Sequence, residues 1–89
     1  MKAVITVLGS DRIGIIAAVT AVLAEAQANI LDISQTIMQE IFTMVMMVDL
    51  SSSSVDIGTL QDMLAVKGGE LGVQIRVQRD DIFQSMHRI

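Results

Sequence analysis

The chain has 89 residues, 52% hydrophobic and 2% aromatic, which suits one domain with a core of Ile, Val, Leu, Met and Ala. With no cysteine, disulfides, thiolate metal sites and cysteine nucleophiles are excluded. A net charge of −4, two Phe and no Tyr or Trp leave neither the basic surface nor the stacking rings that hold nucleic acid.

No apolar run approaches the roughly 20 residues that span a bilayer. No signal peptide is expected at the start, because the apolar run 3–8 enters Gly9-Ser10-Asp11-Arg12 directly. The chain reads as soluble, with no membrane partner, and as cytoplasmic.

Lys2 to Leu8 is apolar and β-branched, the pattern of a first strand. Ser10 or Asp11 is placed to cap a helix. In that helix Ile15, Ile16, Val19, Val22, Leu23 and Ala26 form one stripe, with Arg12, Thr20, Glu25 and Gln27 largely off it. Asn29, past the stripe, is a residue type that tolerates the left-handed conformation ending helices.

Ile30 to Met38 is expected as strand two, Gln39-Glu40 as a turn, and Ile41 to Leu50 as strand three. After the loop 51–54, Asp56 can cap a second helix carrying Leu60, Met63 and Leu64. Gly68, Gly69 and Gly72 are expected to loosen and stop it. Val73 to Gln78 alternates cleanly as strand four. Asp80 or Asp81 starts a short helix with Ile82, Phe83, Met86 and Ile89 on one side.

Right-handed crossovers put strands one and three side by side, read as a parallel pair, with two and four outside. The expected fold is α+β, a ferredoxin-like βαββαβ unit. It is a four-stranded antiparallel sheet of order 4-1-3-2 with both helices on one face and a short C-terminal helix. The whole chain, 1–89, forms one domain, with a core over 2–78 and a helical extension over 79–89.

Strand three is apolar on both sides: Phe42, Met44, Met46, Val48 and Leu50 on one, Val45 and Met47 on the other. Strand one matches it, with Ile5 and Val7 opposite Val4 and Leu8. Two helices cover one face only. The other face is therefore an apolar patch to be covered by a second copy, by the C-terminal helix, or by both.

Two polar clusters flank the first helix and suggest a binding site. A strand-to-helix turn at Gly9 to Gly14 points free backbone N–H groups outward, with the positive end of the helix dipole behind them. Gly14 lets a ligand approach, or serves close packing of helix against strand. Asp11 can grip an amine or act as a plain N-cap. Arg12 can hold a carboxylate in two bonds, or be a solvated surface residue. Asn29 can both donate and accept, or end the helix. Asp32 can complete an ammonium pocket, or sit exposed near the sheet edge.

The methionines Met38, Met44, Met46 and Met47 suit a core or dimer surface, since no Cys or His joins them in a soft-metal site. His87 reads as a surface residue of the terminal helix. No nucleophile has a base beside it, and Ile15-Ile16 stands where a phosphate loop needs Lys and Ser or Thr. No enzymatic activity, metal or cofactor is expected.

The turn residues Gly9, Asp11, Arg12, Gly14 and Ile15, the strand start Asn29, Ile30, Asp32 and Ile33, and the βαββαβ order together resemble the ACT domain. This family is a regulatory module that commonly binds amino acids or related small molecules. The resemblance spans Lys2 to about Gln78. The stretch 40–44 and the tail 82–89 look like a group of stand-alone ACT proteins similar to the ACT repeats of the glycine cleavage repressor.

The resemblance implies a ligand site made by Asp11, Arg12, Ile13 and Gly14 with Asn29, Ile30 and Asp32, at a subunit interface of a homodimer or higher homo-oligomer. The chain departs from amino-acid-binding members at Asp11, where they often have Asn, and at Ile13, where they often have Pro. A carboxylate at Asp11 favours a ligand ammonium and repels a ligand carboxylate. The alternative is a ligand-free interaction module that holds an unidentified protein partner with its open sheet face and C-terminal helix.

Overall fold

In the computed structural model, residues 1–10 and 13–81 are described. The elements are β1 (Lys2–Ser10), α1 (Ile15–Glu25), β2 (Asn29–Met38), β3 (Ile41–Asp49), α2 (Ile57–Leu71) and β4 (Val73–Arg79). The strands form one sheet of order β2-β3-β1-β4, the expected 4-1-3-2. Asp80 and Asp81 begin a helical turn, and the rest of the expected C-terminal helix, with His87, lies outside the described residues.

One expectation is corrected. β1 and β3 are antiparallel, as are β1–β4 and β2–β3. The α1 crossover joins β1 to β2, leaving a gap one strand wide. β3 returns into that gap through a hairpin and so runs opposite to both neighbours. β1 and β2 run parallel, as do β3 and β4, but neither pair is adjacent in the sheet.

The hairpin turns at Gln39 and Glu40, both at positive φ (48° and 73°). This is the twist that a two-residue connection needs, here made without glycine.

The register gives the sheet two ends. Ser10, Ile41 and Met38 lie at the upper end, Lys2, Asp49 and Asn29 at the lower. Ala3, Ile5 and Val7 of β1, Phe42, Met44, Met46 and Val48 of β3, and Val73 and Ile75 of β4 face the helices and are buried. They pack with Ile15, Val19, Leu23, Leu60 and Leu64 from α1 and α2. On the other face Val4 is also buried, whereas Leu8 is 45% exposed and Ile41 is exposed.

Helix ends follow local chemistry. α1 starts at Gly14, with φ 90° and no side-chain cap. Ser10 belongs to β1 instead of capping, and Asp11 lies outside the described residues. At the other end Gln27, not Asn29, takes the left-handed conformation (φ 58°). The Ala28 N–H then donates to the Leu23 carbonyl, closing the last turn. The Ser53 hydroxyl donates to the Ala26 carbonyl at 2.9 Å and ties the serine loop beneath α1.

α2 is capped by Asp56, which accepts from the Thr59 N–H at 2.7 Å. It continues through Gly68 and Gly69 and stops at Gly72, whose φ is 73°. Gly68 does not loosen the helix. A Cβ there would lie 2.8 Å from the Val73 carbonyl oxygen, so glycine is what lets α2 lie against β4.

Candidate functional site

β2 differs from the other strands in having all ten residues exposed. Cross-strand partners share a face of the sheet. Ile30, Ile33, Gln35 and Ile37 oppose Val48, Met46, Met44 and Phe42, so they stand on the helix side. Neither helix covers them, and Ile33 is 43% exposed. A bulge at Leu31 separates Ile30 from Asp32.

Between this stripe and the start of α1 lies a cavity of about 440 Å3, lined by Gly14, Ile15, Ile16, Ala17, Gln35, Ile37 and Phe42. That volume suits a small ligand, and the lining suits one with an apolar part. The first main-chain N–H groups of α1 have no carbonyl partner within the helix, and among the described residues no side chain caps them. Among the described residues nothing lies within 4 Å of where a Cβ on Gly14 would be, so close packing against them does not call for glycine there. The Gly14 φ of 90° is one that glycine adopts readily, and among the described residues the space above the helix start is open.

The other expected site residues are dispersed within one copy. Ile13 is fully exposed beside Gly14. Asn29 opposes Asp49 at the lower end, whereas Gly14 follows β1 at the upper end. The helix between them, 11 residues long, measures about 16 Å at 1.5 Å per residue.

Ile30 stands on the helix side near Asn29. Asp32 opposes Met47 on the opposite face of the sheet, and its Oδ1 accepts from the Ile33 N–H at 2.8 Å. Asp11 and Arg12 lie outside the described residues. One chain therefore does not bring Gly14 and Asn29 together, and Asp32 faces away from the cavity.

The βαββαβ order, the 4-1-3-2 sheet and the open strand-to-helix turn match one family at the level of sequence. The model of the ACT domain fits residues 2–78. The chain belongs to the ACT domain family. It is 56% identical over 88 residues to a UPF0237 protein of Methanocaldococcus jannaschii, covering 99% of this chain and 98% of that one. It is also 56% identical over 89 residues to a UPF0237 protein of Clostridium acetobutylicum, covering the full length of both.

Among solved structures, an ACT domain protein from Streptococcus pneumoniae superposes with a TM-score of 0.82 at 43% identity, covering 94% of each chain. A putative glycine cleavage system transcriptional repressor superposes with a TM-score of 0.75 at 26% identity, covering 88% of this chain and 44% of that one.

For this ACT domain, the cavity adds Ile15, Ile16, Ala17, Gln35, Ile37 and Phe42 to the site residues expected from sequence. The signal that reveals them is topological. With β1 and β2 parallel, the end of β2, and not its start, lies level with Gly14.

The lower end has its own electrostatics. Hydrogen bonds from the Ser51 hydroxyl (2.6 Å) and N–H (2.9 Å) hold the Asp49 carboxyl below its ordinary pKa. The terminal amine at 3.8 Å and Lys2 add to that effect.

Proposed function

We propose that this ACT domain is a non-catalytic regulatory module that binds a small metabolite, an amino acid or a related molecule, between two copies of the chain. The observation that carries the proposal is the cavity between the uncapped start of α1 and the exposed end of β2. A two-fold axis that pairs β2 antiparallel with itself sets the lower end of one copy beside the upper end of the other. Asn29 and Ile30 of the partner copy then stand over Gly14 and the cavity, completing at the interface what one copy lacks.

The exposed stripe Ile30, Ile33 and Ile37 supports the same pairing, because a second copy buries it. So do the small exposed side chains Ala17, Ala21 and Ala24 of α1, which leave room for a second helix.

The proposed ligand places its apolar part against Ile37 and Phe42 and its polar groups at the α1 amides and toward Gln35 or Asn29 of the partner. Binding then ties the two copies together, and a downstream protein reads the assembly.

Thermal melting against a panel of amino acids tests this reading. A ligand at about 100 times its Kd adds about 2.7 kcal/mol, a rise of roughly 10 °C or more for a domain of this size. Asn29→Ala is expected to abolish that shift without unfolding the protein. A flat panel with the dimer intact favours the second reading, a ligand-free interaction module. The exposed apolar residues Leu8, Met38 and Ile41 at the upper end of the sheet speak for that module.

A further inference from the structure

A strand at the rim of a sheet turns main-chain donors and acceptors outward, where any chain with a free edge can pair with them. β4 is such a strand, bonded to β1 on one side and, among the described residues, to no strand on the other. Its outer side is nevertheless occupied. From α2, the Gln61 Oε1 accepts from the Val77 N–H at 2.8 Å, and the Gln61 Nε2 donates to the Ile75 carbonyl at 3.4 Å. A primary amide set between the carbonyl of one residue and the N–H of the second residue after it offers what an added strand would offer. Two turns further along α2, Gly68 holds the helix against the Val73 carbonyl. One face of α2 thus runs along this edge.

β2 is treated differently. Among the described residues, the side-chain bond to its main chain is the local one from the Ile33 N–H to Asp32.

We propose that Gln61 closes the β4 edge against strand addition by a second copy of this chain, so that copies join only through β2. With both rims open, β2 would pair with β2 and β4 with β4 in alternation, an unending ribbon. One closed rim ends assembly at a pair. What happens at β2 rests on the functional reading above, but the role of Gln61 at β4 does not.

Gln61→Leu keeps the bulk of the side chain and removes both bonds. The test is light scattering of the full chain across micromolar concentrations, with folding checked by circular dichroism. The mass of Gln61→Leu is expected to climb with concentration past the plateau of the unmodified protein. Equal masses at every concentration overturn the proposal.

Gln61→Glu keeps the acceptor for Val77 and adds a charge that itself deters pairing, so its mass is expected to stay at the plateau. Growth like that of the leucine variant would show that lost packing is responsible, and would also overturn the proposal. In the unmodified protein the Val77 amide is expected to exchange with solvent at least tenfold more slowly than an open-edge amide. Fast exchange there defeats the proposal even if Gln61→Leu does not fold. A single-copy unmodified protein would defeat the β2 reading alone, with the Gln61 comparison then read as a rise above one copy.

Discussion

The two outer strands of this sheet live in opposite surroundings. β4 lies under α2, with Val73 and Ile75 buried and its free rim met by Gln61. β2 has ten exposed residues, four of them isoleucine or leucine and one methionine. Two helices here cover three strands, and the shortfall is concentrated at one rim. β4 is closed by its own domain, whereas β2 is left open among the described residues.

The largest effect that sharpens this contrast lies on the covered side. Leu64→Ala removes a fully buried α2 side chain beneath the sheet. It is expected to cost about 2–5 kcal/mol in urea unfolding, with a midpoint shift that does not depend on protein concentration.

Next come two adjacent glycines of α2 that should respond with opposite signs. Gly68→Ala drives a Cβ toward the Val73 carbonyl. Overpacking of about 1–3 kcal/mol then outweighs a helix gain of about 1 kcal/mol. Gly69→Ala meets nothing within 4 Å and is expected to stabilise by up to about 1 kcal/mol. Thermal melts of the pair decide whether α2 is pressed against β4, because equal effects would show that it is not.

On the open side, Ile33→Lys is expected to change single-copy stability by no more than about 0.5 kcal/mol. By sedimentation it should reduce the mass to one copy, since a charge on a pairing edge opposes strand addition. A variant that keeps the unmodified mass would remove β2 from the interface.

The smallest effect is one of pH and belongs to the α2 start. Hydrogen bonding to Thr59 holds the Asp56 carboxyl below its ordinary pKa. The stabilisation is therefore present above the unfolded carboxylate value and is lost as pH falls through the lower, folded value. Asp49 acts in the same direction. Asp56→Asn retains a capping oxygen, so the difference between melts at neutral and acid pH should shrink in that variant.

Much of this fold was legible in the residues. The apolar stripe of α1, the alternation of β4 and the Asp56 cap each depend on local chemistry that sequence carries directly. Gln39-Glu40 was readable as a turn for want of any better site between two apolar runs.

What misled were features decided by tertiary contacts. Gly68 looks like a helix breaker until Val73 is seen against it. Asn29 looks like the helix terminator, but Gln27 takes that conformation, because Asn29 is already paired with Asp49. The candidate site was legible in its Gly14 half, where backbone conformation demands the residue. Its other half was not, because strand direction, and not proximity in sequence, decides which end of β2 stands beside the helix start.

Leu31 occupies a bulge and has no cross-strand partner of its own. Strict alternation would send Ile30 to the side opposite Ile33 and Ile37. The bulge takes Leu31 out of the ladder, and one wall of the strand stays greasy from end to end. Deleting Leu31 would leave Ile30 two links before Ile33, so plain alternation would keep the wall whole and only the local kink would go. The kink in the ladder thus hides one surplus link and spares this margin a change of side.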